Sequence, residues 1–283
     1  YINFVNMEHN EKLIDIRKVI GDKNPNLLKF LPNFVINYIK KIVHEDEINA
    51  HIAKNKDIFG VQFVENTLFD LFGVKIQYQG LEYLKKSERY IVASNHPMGG
   101  LDGLAIMYVV SKINPNIKVP VNDLLLYIPN LKPLFLPVNK HGKQSSDAAV
   151  EIEEAYNSDA AIIYFPAGLA SRKINGQIMD LEWKKSFIQK ARLYHRDIIP
   201  VYISGKNSNF FYNLANIRKK LAIKSNIEMF FLSNEMFKQK DKNIKIIFGE
   251  PISYNFFDKS KTDSEWAQYV KDIVYKLAEN IDK

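Results

Sequence analysis

From residue 73 onward, short runs rich in Val, Ile, Tyr and Phe alternate with stretches of helical periodicity, and this alternation constrains the fold most strongly. Strand-like runs cover residues 74–78, 90–94, 118–121, 134–138, 160–165, 198–203 and 244–248. Helical patterns fall at 102–113, 146–156, 184–194 and 264–281. The expected class is therefore α/β: a central mixed β-sheet flanked by helices, with an N-terminal helical segment. Residues 206–242, rich in Lys, Asn and Phe, give no clear element pattern.

The N-terminal segment, residues 1–72, reads as helical, and residues 73–283 as the α/β domain. Leu31, Phe34, Val35, Tyr38, Ile39, Ile42 and Val43 recur at three- and four-residue intervals, which places them on one helix face with Lys40 and Lys41 beside it. A second apolar segment contains Phe63, Val64, Leu68, Phe69, Leu71 and Phe72. Such faces pack on a core or lie on a membrane, and spacing alone favours the core. No apolar run reaches the roughly 18 residues of a spanning helix, and no basic-then-apolar secretion signal opens the sequence. The formal net charge of +7 draws the chain toward an anionic partner. Anionic lipid and an acidic carrier protein fit that charge; nucleic acid is the least supported, because no zinc spacing or recognition-helix pattern is present. With no cysteine, thiolate catalysis and disulfides are excluded.

The chemistry-bearing stretch is Ser94-Asn95-His96-Pro97-Met98-Gly99-Gly100-Leu101-Asp102-Gly103. It follows one strand directly and opens a helix, a position where α/β folds place reactive side chains. Pro97 stiffens the turn, while Gly99 and Gly100 open backbone conformations closed to other residues. A His–Asp dyad is the functional reading: neutral His96 takes a proton from a hydroxyl, and Asp102 holds its tautomer and stabilises the imidazolium. The activated hydroxyl then attacks a thioester, with backbone amides serving the oxyanion. The competing reading makes Asp102 an N-cap and His96 a turn residue bonded to backbone.

Asn95-His96 followed by Asp102 resembles the first motif of the lysophospholipid and glycerolipid acyltransferases, with five residues between the pair where the family usually has four. The form His-Pro-x-Gly-Gly-x-Asp-Gly is similar to a hemolysin-like bacterial branch of that superfamily. Residues 134–140, ending in Asn139-Lys140, resemble its second motif, and Tyr164-Phe165-Pro166-Ala167-Gly168-Leu169-Ala170-Ser171-Arg172 its third. Residues 198–203, a strand around Pro200, are similar to the fourth. The resemblance spans about residues 74–254. In the third block Ala167 stands where the family usually has Glu, which removes a carboxylate from beside the acceptor.

The resemblance implies O-acyl transfer from an acyl-CoA or acyl-carrier-protein thioester to a hydroxyl of a lysolipid or an amino-acid-containing lipid. It implies no cofactor beyond that co-substrate, and no pair of His and carboxylates has metal-ligand spacing, so no metal is expected. His96 and Asp102 would be catalytic; Asn95, Gly99, Gly100, Lys140, Phe165, Pro166, Gly168, Ser171 and Arg172 would line the substrate site. Arg172, Lys173 and Lys140 would hold an anionic head group or a pantetheine phosphate, and His141 is a weaker candidate beside Lys140. His9, His44, His51 and His195 read as surface or helix residues, and Asp180, Glu182 and Trp183 as structural. The resemblance also turns the 31–43 stripe toward membrane docking, with the protein held peripherally on the cytoplasmic face of an anionic membrane. A non-catalytic lipid- or acyl-binding module on the same fold and a thioester hydrolase are the alternatives.

Overall fold

The computed structural model describes residues 14–23, 25–121, 128–138, 146–223 and 226–280. Among them, seven strands form one mixed sheet: β1 (Lys75–Gln79), β2 (Tyr90–Ser94), β3 (Ile117–Val121), β4 (Phe135–Pro137), β5 (Ala161–Tyr164), β8 (Asp197–Ile203) and β9 (Asn243–Phe248). Their order is β1-β9-β8-β2-β5-β3-β4. Every neighbouring pair is parallel except β8 and β9. The α/β expectation with a mixed sheet holds, and each predicted strand is present to within a residue or two. A small antiparallel hairpin, β6 (Arg172–Ile174) with β7 (Gln177–Met179), stands apart from the sheet and is not foreseen by the periodicity.

β2 is buried at all five positions, as a central strand covered on both faces must be. Val92 lies on the face packed by α5 (Gly60–Asn66) and α6 (Leu101–Ser111), together with Ile163, Ile199 and Ile246. Ile91 and Ala93 face the opposite layer, formed by α8 (Ser186–Leu193), α11 (Asp263–Leu277) and α7 (Ser146–Asn157). α6 is apolar nearly all round because it lies between the sheet and α5. Pro200 is tolerated in β8 because the partner ladder is interrupted beside it. Val201 pairs with Phe248 and Ile198 bridges to Ile252, which leaves three residues opposite two.

The N-terminal helices are α1 (Ile16–Lys23), α2 (Pro25–Phe30), α3 (Asn33–Val43) and α4 (Glu45–Lys54), followed by α5 and a wider π turn at Thr67–Leu71. Ile52, Phe63, Val64, Leu68 and Phe72 join the main core. α3 divides its apolar residues: Ile36 is buried, whereas Phe34 and Tyr38 face outward. The weakly patterned 206–242 stretch contains α9 (Asn209–Lys220), a 3-10 turn at Ile227–Phe231 and α10 (Leu232–Phe237). No helix among the described residues is long and apolar enough to cross a membrane.

Candidate active site

The site is built where β2 runs into α6. Asn95 fixes the strand end: its Nδ2 donates to the Ile203 carbonyl at 3.0 Å and its Oδ1 accepts from the Ile203 amide at 2.8 Å. The chain then turns through His96 and Pro97, and α6 starts at Leu101. Asp102, in the first helical turn, is fully buried. Its Oδ2 accepts the amides of Met98 (2.9 Å) and Gly99 (3.1 Å), and its Oδ1 the amide of Gly103 at 2.9 Å. The same Oδ2 lies 3.1 Å from His96 Nδ1. The five intervening residues therefore fold into a loop wrapped around the carboxylate, and histidine and aspartate converge despite the longer spacing.

Gly99 makes this loop possible. Its φ is +82°, and a Cβ there would stand 2.9 Å from both Ala170 Cβ and Leu232 Cδ2. At Gly100 a Cβ would collide with Met236.

Burial alone would raise the Asp102 carboxyl. The facing His96 and the Met98 and Gly99 amides outweigh that and hold it below the usual carboxylate range. The His96 ring stacks on Phe165, with centroids 4.2 Å apart and planes at 28°. The imidazole is thus held on one edge by a carboxylate and on one face by an aromatic ring, while 16% of the side chain stays open to solvent.

The third block holds the histidine backbone. Ser171 N–H donates to the His96 carbonyl at 2.8 Å, and His96 N–H donates to Asp180 Oδ1 at 3.2 Å. Asp180 Oδ1 also accepts the Ser171 hydroxyl at 2.6 Å, and its Oδ2 accepts Trp183 Nε1–H at 2.9 Å. Burial pushes the Asp180 carboxyl up, against those hydrogen bonds. Asp180 therefore ties the first block to the third. Its signal in the sequence is faint: an acidic residue after a glycine turn, three residues before a buried tryptophan. Pro166 and Gly168 shape the turn beneath Phe165, where the Gly168 amide closes on the Phe165 carbonyl at 3.0 Å and the Lys184 amide donates to Pro166 O at 3.1 Å.

Arg172 lies elsewhere in this arrangement. Its guanidinium is buried, donating to the Ala170 carbonyl at 2.5 Å and to Glu228 Oε1 at 2.7 Å. Glu228, fully buried, also faces Arg218 Nε at 2.9 Å. Lys173 sits half-exposed on the β6–β7 hairpin. Lys140 and His141 lie outside the described residues. His96, Asp102, Asn95, Gly99, Gly100, Phe165 and Ser171 are brought together; Arg172 is one step removed, through Ala170 and Ser171.

A family model described as acyltransferase matches residues 18–283. The chain is 49% identical over 266 residues to a lyso-glycine lipid O-acyltransferase of Bacteroides thetaiotaomicron, covering 94% of this chain and 97% of that one. It is 46% identical, again over 266 residues, to a protein of the same name from Phocaeicola vulgatus, covering 94% and 95%. The crystal structure of the 1-acyl-sn-glycerophosphate acyltransferase PlsC from Thermotoga maritima superposes with a TM-score of 0.51 at 18% identity, over 94% of this chain and 98% of that one. With a model matching nearly its whole length and two relatives near half identity, the chain belongs to the acyltransferase family, and it is an acyl-transferring enzyme.

Proposed function

We propose that this enzyme transfers a fatty acyl group from an acyl-CoA or acyl-carrier-protein thioester to the hydroxyl of a lysolipid whose head group contains an amino acid, glycine foremost. The observation that carries the reading is the 3.1 Å pair of His96 Nδ1 and Asp102 Oδ2 at the end of β2. The acceptor follows from the two relatives named for a lyso-glycine lipid.

Neutral His96, its Nδ1 directed to Asp102, takes the acceptor's hydroxyl proton on Nε2. The oxygen attacks the thioester carbonyl, forming the ester C–O bond through a tetrahedral intermediate. Collapse breaks the C–S bond, and the departing thiolate recovers the proton from His96. No acyl-enzyme forms. Asp102 stabilises the imidazolium in between, and its burial strengthens that effect. The Met98 and Gly99 amides already serve Asp102, so this reading does not give them to the oxyanion. Phe165 keeps the imidazole in plane, while Asp180 and Ser171 fix its backbone. The acceptor resides in a bilayer, so the enzyme docks there, and the outward Phe34 and Tyr38 of α3 are suited to the interface. The cytoplasmic face, where acyl thioesters are made, is the proposed location.

The test is purified protein given a long-chain acyl thioester with lyso-glycine lipid, and separately with lysophosphatidic acid, the products being read by mass spectrometry. Diacylated glycine lipid formed faster than phosphatidic acid is the expected result. Free fatty acid at a rate independent of acceptor would mark a hydrolase, and an untouched thioester would mark a binding module.

A further inference from the structure

The stretch of residues 204–240 builds a second exposed apolar surface, separate from α3. Along α9, Phe210, Leu214, Ile217 and Leu221 recur at i, i+4, i+7 and i+11, which puts them on one line of the helix. Phe210 is 50% exposed, Ile217 54% and Leu221 66%, a poor arrangement for a helix that faces only water. Phe230 adds a further ring, 67% exposed, and its neighbour Phe231 packs edge-on against Phe210 at 5.0 Å. The opposite side of α9 is fully used: Phe211 and Tyr212 are buried against Ala170, beside the block that holds His96. The stripe therefore lies on the outer side of a helix seated over the active-site wall.

The charge around it has one sign. Residues 204–240 contain seven basic side chains and two acidic ones. Both acids, Glu228 and Glu235, are fully buried and ion-paired, to Arg172 and Arg218 and to Lys238. Lys219 and Lys220 stand exposed in the last turn of α9. The 3-10 turn at Ile227–Phe231 packs against both α9 and α3.

We infer that the outer face of α9, with Phe230, is a docking surface for an anionic lipid bilayer, which sets the active-site mouth at the interface. A line of apolar side chains, flanked by lysines and with no exposed carboxylate in residues 204–240, matches an interfacial helix. An acidic protein would use the lysines but leave the apolar line wet. This rests on the reading that the acceptor is a bilayer lipid.

The test is sedimentation of the full chain with vesicles of phosphatidylcholine alone and of phosphatidylcholine mixed with phosphatidylglycerol. Ile217→Glu/Leu221→Glu should lower binding to both vesicles by roughly tenfold or more, because two anchors become charges. Lys219→Glu/Lys220→Glu should lower it about tenfold on the mixed vesicles and little on the neutral ones. Val150→Glu, exposed on α7, should bind as wild type, and unchanged melting midpoints establish folding. Wild-type binding by the Ile217/Leu221 variant overturns the inference. So does a wild-type dimer that this variant dissolves, or a purified acyl carrier protein that it no longer binds while vesicle binding persists. No thioester or acceptor is present, so failure here is distinct from failure of the acyl-transfer reading.

Discussion

Glu228→Gln is expected to destabilise the enzyme by about 3–5 kcal/mol, in the range for a buried pair that loses one partner. Glu228 is fully buried, with one oxygen 2.7 Å from Arg172 and the other 2.9 Å from Arg218. At an effective dielectric near 20, one such contact is worth about 6 kcal/mol of gross attraction. A glutamine oxygen recovers roughly 1 kcal/mol as a neutral hydrogen bond, but two arginines then face each other, one of them buried. At roughly 2 °C per kcal/mol for a chain of this size, the melting midpoint should fall by about 8 °C. Thermal denaturation followed by circular dichroism reads this directly. Arg172→Met/Glu228→Leu, which removes both charges and leaves Arg218, whose side chain is 17% exposed, to turn to solvent, should recover much of the loss. The reasoning fails if Glu228→Gln melts within a degree or two of wild type. It fails also if Arg172→Met alone abolishes acyl transfer at unchanged stability, because Arg172 would then act on substrate rather than hold β6 in place.

Gly99→Ala should cost about 2–4 kcal/mol from left-handed backbone strain and overpacking, and should slow acyl transfer because the Gly99 amide leaves Asp102; a variant melting like wild type contradicts this. Asp102 is held below its unfolded value, so its stabilisation is present above about pH 4 and is lost as pH falls through the lower folded value. Wild type should therefore lose stability more steeply than Asp102→Asn on acidification from about pH 5 to pH 3, and parallel melting curves would refute it.

The sheet was legible because each strand is a short apolar run closed by polar or glycine residues, and the His96–Asp102 pair because it sits between such a strand and a helix. What periodicity misses is set by long-range partners. Arg172 reads as a surface anion binder because its neutralising partner, Glu228, lies 56 residues away in a stretch without pattern. Asp180 reads as an ordinary loop carboxylate until folding brings it to the His96 amide, 84 residues distant. On α3 the stripe does not tell which side meets the protein: Ile36, outside the stripe, is buried, while Phe34 and Tyr38, on it, turn outward. The β6–β7 hairpin, three residues per strand, is too short for alternation to register.

The direct trial of the dyad is the rate of acyl transfer to lyso-glycine lipid by His96→Ala, with its melting midpoint taken alongside. If the imidazole is the base, the rate drops by roughly 10²–10⁴-fold while the midpoint stays near wild type. A folded His96→Ala enzyme that transfers acyl groups at an undiminished rate would mean that the proton leaves by another route.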